Sequence, residues 1–418
     1  MSVVELVTIG TELLLGETVD TNGAWLARRL AAAGIRVVRR TSVGDDVDAI
    51  HDAVDAALER TGRVICTGGL GPTDDDMTRT VVAGLLGRPL APDTGTLERM
   101  RDRFRRRGIA MADRNLAQAE VPHGAEVLPN RRGTAPGLLM DEGAGRWVVL
   151  LPGVPHEMRT IVEEELLPRL RDRQSPGRPV RSRTLRTTGL AESTLAERVA
   201  DVVADAAPLT VAFLPSFAGT DIRLTSWGDL DDADAEVALG AMERALRDRL
   251  ANRVYGLDDA DLAAVVAGRL KAAGKHLALA ESCTGGLLAK RLTDAPGASR
   301  FLAGGVVAYS NAVKRDLLGV PAQVLEAEGA VSEATARAMA EGVRGALGTE
   351  AGLAVTGIAG PDGGTADKPV GTVWIAAVLD EHTAARRFLF PGERDEVRQR
   401  SAQDALDMLL RLLSGEAQ

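Results

Sequence analysis

Two groups of residues in this 418-residue chain have types and spacings that suit chemistry. The first group joins a serine to a rare lysine. Of the 50 basic residues only five are lysine (Lys271, Lys275, Lys290, Lys314 and Lys368), and none falls in the first 270 positions. Arginine stays protonated and cannot act as a base, whereas a desolvated lysine can. Lys314 ends the run Tyr309-Ser310-Asn311-Ala312-Val313-Lys314 after an apolar segment; Ser282 sits in Ala280-Glu281-Ser282-Cys283-Thr284-Gly285-Gly286 after another. A hydroxyl in a strand-to-helix turn, facing the backbone N–H groups around Thr284, Gly285 and Gly286, offers a nucleophile beside an oxyanion hole. Tyr309 is placed to relay the proton or orient the hydroxyl, and Cys283 is the neighbouring alternative nucleophile. The turn lacks the Gly-x-Ser-x-Gly pattern of an α/β-hydrolase elbow. No histidine is suitably placed as base, since His276 precedes the strand and His382 lies in an expected hairpin turn. A Tyr-x-x-x-Lys dehydrogenase pair is excluded by a spacing of five and the lack of a Gly-x-Gly-x-x-Gly loop. Lys314 would equally open a surface helix. Further along, the loop 357–371 carries Gly357, Gly360, Gly363 and Lys368, a composition suited to wrapping a phosphate or ribose. Arg394 and Arg398, one helical turn apart, suit bidentate phosphate binding or a solvated face.

The second group is nearer the start. Gly10-Thr11-Glu12, Val43-Gly44-Asp45-Asp46, Thr67-Gly68-Gly69-Leu70-Gly71-Pro72-Thr73-Asp74-Asp75-Asp76-Met77-Thr78 and Leu151-Pro152-Gly153-Val154-Pro155-His156-Glu157-Met158 stand out, three of them directly after an expected strand. Around Gly68, Gly69 and Gly71 missing side chains let backbone N–H groups approach an anion, and the following helix turns its positive end to the same point. Glu12, Asp45, Asp75 and Asp76 supply oxygen donors of the kind that hold a divalent cation on phosphates. The same glycines would also serve as a plain turn, and the aspartates as a helix cap. Together they point to a phosphate-bearing ligand.

These groups need elements that end at one sheet edge. Strands are expected at 3–9, 35–43, 63–67 and 147–151, with helices at 21–33, 47–58 and 157–170 between or after them. Ligands of open α/β sheets bind beyond the carboxyl ends of the strands, where the four segments would converge. A polar, proline-rich linker at 172–179 precedes a strand, helix, two strands and helix over 180–251. Beyond a junction at 257–261 come strands at 277–280, 305–309, 353–355, 371–379 and 384–390, then a closing helix at 395–413. The expected fold class is α/β: two three-layer α/β/α domains, 1–171 and 258–418, joined by a small α+β module at 180–251. A parallel sheet covered on both faces is expected in the first of these, and strand–helix alternation resumes in the second.

Composition narrows the function classes. Hydrophobic residues make up 45% and charged residues 26%, as in ordinary globular proteins. No apolar run approaches the ~18 residues of a membrane span, and the start carries no basic signal-peptide region. Two cysteines far apart, Cys66 and Cys283, form no disulfide framework, so a cytoplasmic location is expected. A net charge of −9 and few aromatic residues argue against nucleic acid as a direct partner. The basic run at 99–107 reads as a solvated helix face.

The first 170 residues, through TGGLGPTDDDMT and LPGVPHEM, resemble the molybdopterin-binding domain family and more closely the start of the CinA (competence/damage-inducible) proteins. AESCTGG, YSNAVK, GAVSE (329–333) and GIAGPDGG with KPVG resemble the CinA C-terminal domain, and 180–251 the KH-like domain between the two. No two glycines of that module have the Gly-x-x-Gly spacing that clamps nucleic acid, so it reads as a spacer. The resemblance implies two hydrolases. The C-terminal domain would deamidate nicotinamide mononucleotide to nicotinate mononucleotide and ammonia without a cofactor. Ser282 would be its nucleophile, assisted by Tyr309 and Lys314. The N-terminal domain would use a divalent metal to hydrolyse ADP-ribose to AMP and ribose 5-phosphate, its acidic positions falling on Asp45 and Asp76, with Asp75 a second acid. A homodimer is implied, and no membrane or nucleic-acid partner. Two rivals stand beside this reading: an N-terminal domain that only binds a nucleotide or pterin, and a non-catalytic interaction partner in DNA uptake or repair.

Overall fold

Strand residues that alternate between two buried faces shape both larger domains. The structure is a computed structural model that describes residues 2–173 and 178–415, so the middle of the expected linker, 174–177, lies outside the described residues. The chain divides into two compact units, Met1–Arg181 with Ser226–Glu236, and Ser182–Thr225 with Val237–Gln418.

In the first unit the elements run β1 (Ser2–Ile9), α1 (Thr21–Ala32), β2 (Ile35–Val43), α2 (Val47–Thr61), β3 (Arg63–Thr67), α3 (Thr78–Leu85), α4 (Thr94–Arg106), β4 (Glu126–Leu128), β5 (Gly137–Gly143), β6 (Arg146–Leu151) and α5 (Pro155–Ile161). A wider π turn, Val162–Leu166, continues α5 into α6 (Leu167–Arg173). Side-chain caps set the helix starts: Asp20 accepts from the Gly23 N–H and Asp46 from the Ala49 N–H. Pro155 pre-sets the first turn of α5, so that helix begins two residues before the expected 157. The sheet order is β2-β1-β3-β6-β5-β4. Val4, Leu6, Ile65, Val149 and Leu151 face one core with α1 and α5; Val7, Ile9, Val64, Cys66, Val148 and Leu150 face the other with α2 and α3. Pairing is parallel from β2 to β6 but antiparallel through β5 and β4, which departs from the expected all-parallel sheet. Only Ala144 and Gly145 separate β5 from β6, too short a link for a parallel crossover.

The second unit opens with the module β7 (Arg181–Thr187), α7 (Glu192–Ala204), β8 (Thr210–Ser216), β9 (Gly219–Ser226) and α8 (Asp232–Leu250), the expected order. One strand more, β10 (Val254–Leu257), joins its sheet in the order β8-β9-β7-β10. There follow α9 (Leu262–Ala273), β11 (Leu277–Glu281), α10 (Leu287–Thr293), β12 (Leu302–Val307), α11 (Asn311–Leu318), α12 (Glu333–Leu347), β13 (Ala351–Gly357), β14 (Thr372–Leu379), β15 (His382–Leu389) and α13 (Arg394–Leu413). The sheet order is β12-β11-β13-β14-β15, parallel across the first three strands and antiparallel in the last two. Leu277, Leu279, Leu353, Val355 and Ile375 pack towards α9 and α13; Ala278, Ala280, Ala354 and Ala376 take the other face with α12. Both units are thus α/β with helices on each face of a mixed sheet. Among the described residues no helix is long and apolar enough to cross a membrane.

Leu353 is fully buried at the centre of this second sheet. Leu353→Ala should lower unfolding stability by about 2–5 kcal/mol, read as an earlier guanidinium midpoint; an unchanged midpoint would contradict this packing.

Candidate active sites

In the second unit Ser282 follows the last residue of β11 and is 8% exposed, its N–H tied to the Val355 carbonyl at 2.9 Å. Lys314 reaches it from α11, whose start is fixed by the Ser310 hydroxyl accepting from the Val313 N–H. The Lys314 side chain is 1% exposed, with Nζ 3.2 Å from Ser282 Oγ and 2.8 Å from the Ala308 carbonyl oxygen. No carboxylate pairs with it among the described residues, and burial pulls its pKa below the ordinary lysine value. The expected nucleophile and base are therefore in contact. Burial pushes the Cys283 thiol up to about 12, which leaves it protonated and a poor nucleophile at neutral pH.

The amides of the turn are divided differently from expectation. The Gly286 N–H donates to the buried Glu281 carboxylate at 3.0 Å, as do the N–H groups of Leu288 and Ala289 at 3.0 and 2.9 Å. The Gly285 N–H donates to the Ser282 carbonyl at 3.1 Å. Gly285 and Gly286 hence shape the turn, with φ of +59° and +92°, but their N–H groups are occupied. The N–H groups of Cys283 and Thr284 have no acceptor among the described residues and are the donors left beside Ser282. The Thr284 hydroxyl is buried with no partner there either.

Tyr309 departs from the expected relay. It lies beyond the end of β12, is 63% exposed, and its Oη accepts from Arg394 Nη2 at 3.1 Å; neither Ser282 nor Lys314 bonds it among the described residues. Arg394 also donates to the Gly360 carbonyl at 2.7 Å, and Arg398 to the Thr284 carbonyl at 2.9 Å, so both arginines bind the glycine loop and the serine turn. Lys368 donates to the Glu328 carbonyl at 2.6 Å and ties Gly357–Gly363's loop to the segment before α12. His276 immediately precedes β11, at the end away from Ser282, and His382 opens β15.

In the first unit a cavity of about 420 Å³ is lined by Glu12, Asp45, Asp75 and Asp76 together with Gly68, Gly69 and Gly71, so the segments meet as expected. At Gly68, φ is +114° and a Cβ would strike the Ile9 carbonyl, so only glycine lets the β1 and β3 ends approach here. The N–H groups of Gly69, Leu70 and Gly71 have no acceptor among the described residues and are free for an anion.

The acids are another matter. Asp45 accepts from the Thr11 N–H at 2.8 Å and the Thr11 hydroxyl at 3.0 Å; Asp76 accepts from the Thr73 N–H at 2.9 Å and from its hydroxyl. Hydrogen bonding to Thr73 holds Asp75 below the usual carboxylate range. No three acids converge to hold an ion among the described residues. The expected metal set of Glu12, Asp45, Asp75 and Asp76 thus shares one cavity, with Thr11 bonded to Asp45 and Thr73 to Asp76. Sequence reasoning also left out Gln118, Thr134 and Glu157, which line the same cavity. Glu157 had a signal, as the acid of LPGVPHEM; Gln118 and Thr134 come from an irregular stretch with none.

Comparison with known proteins covers the chain end to end. Residues 5–172 match the probable molybdopterin binding domain, 182–256 the damage-inducible protein CinA KH domain and 259–413 the CinA C-terminal domain. A CinA-like protein of Gemmatimonas aurantiaca is 51% identical over 416 residues, covering 99% of this chain and 97% of that one. Another, from Salinibacter ruber, is 45% identical over 98% of this chain and 99% of its own. Among solved structures, a competence-damaged protein (CinA) superfamily protein from Klebsiella pneumoniae is 36% identical, covering 37% of this chain and 96% of its own with a TM-score of 0.36. With three domains matched in order and relatives aligned over nearly their whole length, the chain belongs to the CinA (competence/damage-inducible) family.

Proposed function

We propose that the second unit is a serine amidohydrolase acting on nicotinamide mononucleotide. The observation that carries this reading is the buried contact of 3.2 Å between Lys314 Nζ and Ser282 Oγ. Neutral Lys314 takes the Ser282 proton as Oγ attacks the carboxamide carbon. The N–H groups of Cys283 and Thr284 receive the oxyanion. Lys314 then returns the proton to the departing nitrogen, releasing ammonia and leaving an acyl-enzyme. Water, deprotonated by the same amine, attacks the acyl carbon, so that one water is consumed, nicotinate mononucleotide leaves and Ser282 Oγ regains its proton. Arg394 and Arg398 hold the glycine loop and the serine turn in register for the nucleotide.

For the first unit we propose hydrolysis of a nucleotide pyrophosphate, with ADP-ribose as substrate and AMP and ribose 5-phosphate as products. Free N–H groups at Gly69, Leu70 and Gly71 support pyrophosphate binding in the acid-lined cavity. One observation favours a second reading, binding without turnover: Asp45 and Asp76 already accept hydrogen bonds from Thr11 and Thr73.

Ser282→Ala should reduce ammonia release from nicotinamide mononucleotide by about a thousandfold or more, and near-normal release would refute the nucleophile. The low pKa of Lys314 sets a pH profile as well. Activity should rise as the amine loses its proton, with the midpoint below the ordinary lysine value of about 10.4, and Lys314→Arg should abolish that limb together with most of the rate. An active Lys314→Arg enzyme would show that only charge is needed. In the first unit, Asp76→Ala should remove AMP formation from ADP-ribose, followed chromatographically, while ammonia release stays intact. Unchanged AMP formation in that variant would move the chemistry elsewhere, and tight ADP-ribose binding by a wild type without turnover would establish the binding reading.

A further inference from the structure

A cavity of about 440 Å³ in the second unit belongs to neither the Ser282 site nor the acid-lined one. Its walls are the loop after β7, the β8–β9 turn, strand β15 and the later half of α13. Three polar atoms of its lining residues are buried with no hydrogen-bond partner among the described residues: Thr188 Oγ1, Arg400 Nε and Gln403 Nε2. Thr188 is fully buried and Gln403 is 3% exposed. Buried polar atoms are nearly always paired, so three orphans on one cavity mark a place where something else supplies the partners. Gln403 is not simply misplaced. Its Oε1 accepts from Arg291 Nη2 at 3.0 Å, which anchors the amide and leaves the nitrogen as the idle donor.

The remaining walls say what the occupant carries. Asp407 is committed to Arg411 by two bonds of 2.8 and 3.2 Å. Asp404 makes no hydrogen bond among the described residues; burial and the neighbouring Asp407 raise its pKa to about 7 against the opposing pull of Arg386, Arg411 and Arg400. Phe388 and Phe390 stack with centroids 5.2 Å apart, and the Arg386 guanidinium lies 5.0 Å from the Phe388 ring centre. Two idle donors, one cationic, suit a phosphate. An unpaired carboxyl suits sugar hydroxyls, as in dinucleotide sites. The phenyl pair offers an apolar face to a planar base.

We propose that this cavity binds a nucleoside monophosphate, with its phosphate on Arg400 and Gln403, its ribose hydroxyls on Asp404 and its base against Phe388 and Phe390. The site stands apart from both proposed reactions, yet α13 carries Arg394 and Arg398 at its start and Arg400, Gln403 and Asp404 directly after them. The ligand therefore sits on the same helix that holds the serine turn.

The test is calorimetric titration of adenosine and uridine 5′-monophosphates into the full chain, with inorganic phosphate as control. One binding event should weaken about tenfold or more in Arg400→Ala/Gln403→Leu and measurably in the isosteric Thr188→Val. That event should persist in Asp76→Ala and Arg394→Ala, which alter the other two sites. The thermal midpoint of Thr188→Val should match the wild type, so that its weaker binding cannot be ascribed to unfolding. The proposal is overturned if neither nucleotide binds, if the Arg400 and Thr188 variants bind as the wild type does, or if binding is lost only with Asp76 or Arg394. Phosphate competing as well as the nucleotides would reduce the cavity to a simple anion site and overturn it equally.

Discussion

A lysine amine buried without a carboxylate partner governs the second unit. Removing a cation from water is expensive, and a protein either pairs it or lets it lose its proton. Among the described residues Lys314 Nζ donates only to the Ser282 hydroxyl and the Ala308 carbonyl, two neutral groups, so the cheaper course is a lowered pKa. That state is what a general base requires near neutral pH. The sheet makes the contact geometrically possible. In the parallel register Glu281 lies opposite Val307, and the Ala308 N–H donates to the Glu281 carbonyl at 2.7 Å. Two strands running in the same direction deliver Ser282 and the start of α11 to the same edge. An antiparallel pair would have sent them to opposite ends.

Glu281 keeps this arrangement from collapsing into an ordinary ion pair. It is 2% exposed and one residue from Ser282, close enough in sequence to pair with a lysine beside that serine. Its carboxylate instead accepts from three N–H groups at the start of α10. The helix end and the acid satisfy each other, a strong arrangement for a buried carboxylate. Lys314 is left unpaired, and the donors beside Ser282 narrow to the N–H groups of Cys283 and Thr284. One buried acid thus settles both the base and the oxyanion donors.

Much of this was legible in the residues. Apolar alternation located the strands, and the scarcity of lysine singled out Lys314 in a chain that uses arginine elsewhere. Hydrogen-bond allocation was not legible, because it depends on side-chain reach. Nothing in AESCTGG says that Glu281 folds back onto Gly286, or that Tyr309 turns outward to Arg394. The acids were read as neighbours and do line one cavity, but Thr11 and Thr73 had drawn no notice as the partners of Asp45 and Asp76. The antiparallel pairs β5–β6 and β14–β15 follow from links of two residues, and of these only the second, at His382, was expected as a hairpin. The nucleotide cavity gathers residues from four separated segments, a juxtaposition that only the folded chain makes.

The two units therefore differ in how far their chemistry is assembled. In the second, nucleophile and base are already within hydrogen-bond reach, and the remaining donors are positioned by backbone geometry. In the first, the anion cradle is formed and two of its acids, Asp45 and Asp76, are each held by a threonine. A fold hosts many reactions, and the reaction is decided by the site. Family membership tells which domains are present in order. The Ser282–Lys314 contact gives the hydrolysis proposed for the second unit its named atoms, and the first unit offers in its place the amides of Gly69, Leu70 and Gly71, which can bind charge without by themselves moving a proton.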